Sequence, residues 1–269
     1  MIYGIKPSVT FTDEDGNPFG IKQIDGRIRV SATQYTYDIS HGLIPGHEVI
    51  LKFGFNADVP NTFETIWTGS ANYVYMSSPS TLYISSSDNT DDQDYEVIGL
   101  DANWDAQVVT VTANGNNFVA LTGTWIRVFR VKNIGTTDNA GVIYISDDNT
   151  DAGGDGIPDN ADSVKARIEI GYNQTLMALM SIKTGYMAFI RKAYFSSSVA
   201  NKTTDCSVWV RPFGGVFQIK KLLTIAVGAI EVEIDPPLAV DAKSDIELRA
   251  LVSGGSGRVS AGFDGWMET

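Results

Sequence analysis

Tyr95-Glu96-Val97-Ile98-Gly99-Leu100, then Ala106-Gln107-Val108-Val109-Thr110-Val111-Thr112, then Asn114-Gly115-Asn116 and Phe118-Val119-Ala120-Leu121, form the stretch that decides the fold class. The first two runs are rich in β-branched and aromatic side chains, which suit a pleated, half-buried surface. Asn-Gly tolerates the positive φ of a tight turn, so a hairpin is expected between 106–112 and 118–121. No segment here repeats its apolar residues with a helical period.

The same pattern extends in both directions. Towards the N-terminus, strands are expected over 28–32, 48–53, 71–76 and 81–84, and towards the C-terminus over 125–132 and 142–146. The second half continues with 164–170, which reads Val-x-Ala-x-Ile-x-Ile and buries one face. Further strands are expected over 186–195, 206–211, 216–225, 229–234, 245–252 and 258–266. Leu and Met favour a helix over 176–182, but turn residues close both ends of that segment, so a strand is expected there too. Many short strands separated by Gly, Asn, Asp, Pro and Ser argue for sandwiches. The expectation is therefore an all-β chain of two β-sandwich, jelly-roll-like domains. A short N-terminal arm or hairpin would occupy 1–40, the first sandwich 41–163 and the second 164–269.

Composition narrows the function. Of 269 residues 43% are hydrophobic and 19% charged, which marks a folded chain rather than a disordered one. The net charge of -12 repels phosphate backbones and anionic lipid, so neither a nucleic-acid nor a membrane partner is expected. The N-terminus lacks a basic region followed by an apolar core, and synthesis in a host cytoplasm without a secretory signal is expected. The single cysteine, Cys206, alternates with Val208 and Val210 and reads as a buried, inert thiol. The two histidines, His41 and His47, are too few for a zinc site and read as hydrogen-bonding loop residues. Nucleophile-elbow, zinc-protease and P-loop signatures are all missing, and no catalytic residue is assigned.

Two sets of residues stand out as candidates. Residues 147–162 read Asp-Asp-Asn-Thr-Asp-Ala-Gly-Gly-Asp-Gly-Ile-Pro-Asp-Asn-Ala-Asp. Calcium takes six to eight oxygen ligands, and closely spaced carboxylates around glycine turns supply them. Asp155-Gly156-Ile157-Pro158-Asp159-Asn160-Ala161-Asp162 resembles the calcium repeats of thrombospondin type 3, although the alternating acids that normally precede it are replaced by Asp151-Ala152-Gly153-Gly154. Asp151, Asp155, Asp159 and Asp162 are thus the candidate calcium ligands, with a solvated acidic loop as the plain alternative. A strand-plus-turn echo links this loop to an earlier one: Tyr83-Ile84-Ser85 leads into Ser87-Asp88-Asn89-Thr90-Asp91, and Tyr144-Ile145-Ser146 into Asp147-Asp148-Asn149-Thr150-Asp151. Among the tryptophans, Trp125 and Trp209 lie in alternating strands and are expected in the core. Trp67, Trp104 and Trp266 lie near turns and are candidates for a subunit interface or a glycan contact.

One segment carries a wider resemblance. Ile39-Ser40-His41-Gly42-Leu43-Ile44-Pro45-Gly46-His47-Glu48-Val49-Ile50-Leu51-Lys52-Phe53-Gly54-Phe55-Asn56-Ala57-Asp58-Val59, followed by Thr62-Phe63-Glu64-Thr65-Ile66-Trp67, resembles a stretch of virion structural proteins of tailed bacteriophages, many of them marine. The likeness continues at Gly99-Leu100-Asp101-Ala102-Asn103-Trp104, at Leu121-Thr122-Gly123-Thr124-Trp125-Ile126-Arg127-Val128-Phe129-Arg130, at Lys243-Ser244-Asp245-Ile246-Glu247-Leu248 and at Val259-Ser260-Ala261-Gly262-Phe263-Asp264. It departs at His41, where a lysine is usual, and at 146–163, an acidic stretch that looks inserted.

The resemblance implies a particle component with no catalytic residues. Within that class, sandwich domains that resist shear, a low charge fraction and an N-terminal arm able to reach a neighbour favour a capsid decoration (cement) protein on the outer surface of the virion, a homotrimer clamping the major capsid protein or other virion proteins. The alternatives are a tail, baseplate or fibre component, a receptor- or glycan-binding module and, least favoured, an enzyme acting on host polysaccharide.

Overall fold

The computed structural model describes residues 23–24, 27–28, 35–69, 71–198 and 201–269. Most of the arm expected over 1–40 therefore lies outside the described residues. Within it β1 (Gln23–Ile24) pairs antiparallel with β2 (Arg27–Ile28), and α1 (Tyr35–Ser40) is a short helix that buries Ile39. Then follow β3 (His47–Val59), β4 (Glu64–Thr65), β5 (Tyr83–Ser86), β6 (Asp94–Asp101), β7 (Ala106–Thr112), β8 (Val119–Ala120), β9 (Trp125–Asn133), β10 (Ile143–Ser146) and β11 (Val164–Ile168). The second half adds β12 (Leu179–Ser181), β13 (Met187–Ser197), β14 (Thr204–Arg211), β15 (Gln218–Ile225), β16 (Gly228–Val240), β17 (Asp245–Val252) and β18 (Gly257–Glu268). The chain is all-β, as its alternating patterns require. No helix among the described residues is long and apolar enough to cross a membrane.

The C-terminal half forms a sandwich of two antiparallel sheets. One has the order β16-β13-β18-β3 and the other β12-β17-β14-β15, with β4 added beside β17. β12 lies over β3, β17 over β18, β14 over β13 and β15 over β16. Their inner faces supply one core, including Ile50, Phe195, Cys206, Leu248 and Phe263. A second core lies between two smaller sheets, β7-β6-β9 and β11-β10-β5-β8, and includes Leu82, Tyr95, Trp125, Val128 and Ile145.

The two cores do not divide at residue 163. β3 and β4 precede the first core in sequence but pair with β18 and β17. β11 follows the expected boundary yet pairs with β10, and Val164, Ala166, Ile168, Met177 and Leu179 belong to the first core. Strand pairing over long sequence separations sets this division, and composition along the chain does not report it.

Two local expectations change as well. Asn114-Gly115-Asn116 does make a tight turn, with Gly115 at φ 55 and the Asn117 N–H donating to the Asn114 carbonyl at 3.0 Å. The strands it joins do not pair with each other, because β7 joins β6 while β8 joins β5. A Cβ at Gly115 would lie 2.5 Å from the Asn89 carbonyl oxygen, so the glycine lets the turn pass close to the backbone of the loop after β5. The aromatic run over 71–76 forms no ladder; instead Tyr73 and Met76 enter the first core.

Candidate interaction surfaces and the buried ionic joint

β17 shows how the two halves are joined. Its even positions, Ile246, Leu248, Ala250 and Val252, face the sandwich core, while Asp245, Glu247 and Arg249 point the other way. A strand so patterned normally has one face in water. Here Asp245 is 2% and Glu247 0% exposed, because the first half packs on that polar face.

Asp245 is the centre of the joint. Arg127 of β9 donates to it from Nε at 2.7 Å and Nη2 at 3.2 Å, and Arg211 of β14 from Nε at 2.9 Å and Nη2 at 2.6 Å. The Ser181 hydroxyl donates to the same carboxylate. Arg127 Nη1 is held by the carbonyls of Met76 and Ile126, so every nitrogen of that guanidinium has a partner. Tyr75 lies beneath both arginines, 5.0 Å from Arg127 and 4.4 Å from Arg211, and donates to Glu247 at 3.0 Å. Arg249 closes the set on Glu247, over the rings of Trp209 and Phe217. Burial pushes the Glu247 carboxyl upward against the opposing pull of Arg249, and burial with the nearby Glu247 and Asp245 charges raises the Tyr75 phenol well above its usual value.

The three candidate tryptophans have separate environments. Trp67 is 4% exposed and donates to the Ala71 carbonyl at 3.0 Å, against Tyr73. Trp104 adopts a left-handed backbone (φ 69) in a turn held by Asp101, which swings its ring inward over Arg127 at 4.6 Å. Neither ring is a surface platform, since turn proximity did not imply exposure. Trp266 is only partly buried, stacked on Phe189 and edge-on to Tyr35. Tyr35 also contacts His47, whose Nε2 lies 3.0 Å from Glu268. Of the two tryptophans expected in the core, Trp125 is fully buried, whereas Trp209 is only partly buried, beneath Arg249. Cys206 is buried and its thiol is pushed up to about 12 by burial, which leaves it protonated and inert at neutral pH.

The acidic loop is organised by its own backbone. Asp151 accepts N–H bonds from Gly154 at 2.7 Å, Asp155 at 3.3 Å and Gly156 at 2.7 Å, while Asp159 accepts from Ala152 and Asp155 from Ile157, both at 3.0 Å. The Asp162 N–H is capped by Asn160. Asp151, Asp155, Asp159 and Asp162 are not brought together: among the described residues, no three acidic, histidine or cysteine side chains are grouped to hold a metal ion. The echo with the earlier loop is structural, because β5 and β10 are antiparallel neighbours with Tyr83 opposite Ser146 and Ile84 opposite Ile145. Each strand leads into the same turn, in which Asp88 caps Thr90 and Asp148 caps Thr150.

A pH test follows from Asp151. Its backbone hydrogen bonds hold the carboxyl below the ordinary carboxylate range. A folded-state pKa depressed below the unfolded value gives stabilisation that is complete above the unfolded value and lost as pH falls through the folded one. Amide exchange at Gly154, Asp155 and Gly156, corrected for intrinsic rates, should lose protection on acidification through that range, and Asp151→Asn should show the loss already at neutral pH. Unchanged protection in the variant would remove this account of the loop.

Among the surfaces of the described residues that expose apolar side chains, two lie at opposite ends of the sandwich. At one end of the sandwich, Val49 and Leu51 of β3 and Val108 of β7 line a groove of about 330 Å³, floored by Phe129 and the buried Lys52. Lys52 donates to the Phe129 carbonyl, and burial lowers its pKa well below the usual lysine value. At the other end, Ile219 and Leu222 of β15 are exposed, with Val227 at 64% beside them. In the preceding loop Phe213 and Val216 are also exposed, Phe213 edge-on to Trp104.

No protein-family model and no curated protein matches this chain. Among solved structures, it is similar to a protein of the cowpea mosaic virus empty virus-like particle, with 8% identity, a TM-score of 0.21 and coverage of 74% of this chain and 81% of that one. It is also similar to proteins in the structure of infectious bursal disease virus Gx strain (12% identity, TM-score 0.24) and in that virus's VP2 subviral particle (13% identity, TM-score 0.23). Each of these two comparisons covers 82% of this chain and 72% of the other. At TM-scores this low, none of the three carries a role over to this chain.

Proposed function

We propose that this chain is a structural subunit of a virus particle, a decoration (cement) protein on the outer face of a tailed-phage shell that performs no catalytic step. The observation that carries the reading is the pair of exposed apolar surfaces at opposite ends of one sandwich. Contiguous exposed apolar side chains mark protein contacts, and two such surfaces on one rigid body suit a clamp between neighbours. The sequence resemblance to phage virion proteins, which runs in order along most of the chain, supports the same reading. The partners would be the major capsid protein and further copies of this chain.

The glycan-binding alternative would use the cleft at Trp104, Phe213, Arg211 and Lys243. Arg127, its deepest cation, already has all its nitrogens bonded within the protein. That arrangement favours a joint over a ligand site.

The test is the stoichiometry of this chain in purified particles, read from a stained gel. A ratio comparable to that of the major shell protein is expected. A ratio far below it would replace decoration with a tail, baseplate or fibre role, and absence from particles would end the virion reading.

A further inference from the structure

We propose that the open edge of the sandwich is a contact between two copies of this chain, in which β15 of each copy adds to β16 of the other around a two-fold axis parallel to the strands. The inference deepens the assembly reading by naming what covers one of its two apolar surfaces, and it rests on that reading only in treating the surface as an interface.

The sheet orders define the edge. Among the described residues β15 ends one sheet and β16 ends the other; there β15 pairs only with β14, and β16 only with β13. The two strands lie over each other on the same side of the sandwich. Among the described residues their outer N–H and C=O groups therefore form two adjacent rows with no strand partner, which are templates for further strands. Charged residues and proline commonly protect such edges, and β16 has Glu231, Glu233 and Asp235-Pro236-Pro237. β15 is not purely protective, because it exposes Ile219 and Leu222 beside its lysines, and Val227 follows in the turn.

The charges select the arrangement. Among the described residues Lys220 bonds only the Gln218 side chain, at 2.8 Å, and neither Lys220 nor Lys221 forms an ion pair. On β16, Glu231 lies 2.7 Å from Lys192 and Glu233 3.8 Å from Arg191, yet both acids remain more than half exposed, and Asp235 adds a third carboxylate. One chain thus presents a basic strand and an acidic strand side by side.

A two-fold axis along the strands sets β15 against the partner's β16 twice, with lysines facing carboxylates at both junctions. A two-fold axis perpendicular to the sheets would set β15 against β15 and β16 against β16, with like charges opposed. β15 and β16 run in opposite directions through the turn at Ala226-Val227, so the favoured axis also gives antiparallel pairing. Each sheet then continues into the partner's other sheet, which closes both edges on this side. Leu223 and Ile230, partly buried at the mouth of the core, would be covered by the partner. Such a dimer also fits a three-fold arrangement, as one contact of a dihedral assembly.

Sedimentation velocity of the full chain is expected to show a dimer that weakens as salt is raised. K220E/K221E and E231K/E233K should each weaken it by about tenfold or more, since each opposes like charges at both junctions. An equimolar mixture of the two variants should recover the dimer, because lysine then faces carboxylate at both junctions of the mixed pair. On the unaltered chain, a zero-length amine–carboxyl cross-linker should join Lys220 or Lys221 to Glu231, Glu233 or Asp235 in the dimer band. A monomeric wild-type chain would overturn the proposal. So would a dimer indifferent to E231K/E233K, which would indicate β15 on β15, or a dimer band without those cross-links. All of these readouts use purified chain without particles, so their failure is distinct from a failure of the virion stoichiometry.

Discussion

Asp245→Ala is expected to cost about 3–5 kcal/mol of unfolding free energy, because it leaves two arginines of the joint without their carboxylate. Asp245 is 2% exposed, and the side chains of Arg127 and Arg211 both end on it. Desolvating three charged groups is repaid only while all of them are paired, so removing the centre exposes the full penalty for the arginines that remain. Urea denaturation would show a lower midpoint with little change in slope. Asp245→Leu combined with Arg127→Met should cost less than Asp245→Ala alone, since the most buried unpaired cation is removed with its partner. A single-variant loss within about 1 kcal/mol, the range of a surface pair, would show that the joint is hydrated and contributes little.

The second large effect concerns the core. Trp125→Ala should cost about 3–5 kcal/mol, because a fully buried indole leaves a cavity that flanking strands fill only partly. Its Nε1 also loses the Thr122 carbonyl, 3.2 Å away. Trp209→Ala should cost about 1–2 kcal/mol, because that ring is only partly buried and mainly supports the Arg249 guanidinium 4.5 Å from its centre. Equal losses at the two positions would contradict the difference in burial.

The two tryptophans also show how far the sequence could be read. Both stand in alternating strand runs, and alternation reports which face a side chain is on without saying what covers that face. β17 makes the same point more strongly. Alternation puts Asp245, Glu247 and Arg249 on the face opposite the core, where water is the ordinary neighbour, whereas the structure buries both acids under β9 and Tyr75. The only signal available was that a carboxylate, an arginine and an aromatic run lay in separate segments, and no spacing rule links positions 75, 127, 211 and 245. The acidic loop was visible as an acidic loop, but the direction of each carboxylate, onto backbone N–H groups of its own turn, depends on dihedral angles that composition does not carry.

The sequence by itself determined the all-β class, the positions of most strands, the buried thiol of Cys206 and the paired turns after β5 and β10. These follow from side-chain period and turn chemistry, which act over a few residues. Only the tertiary structure decided which strands pair: that β3 closes beside β18, that β11 stays with β10, and that β15 and β16 end their sheets side by side. Those choices belong to contacts between segments far apart in the chain, where the free energy lies in burying whole faces against each other, and local pattern holds no record of the partner.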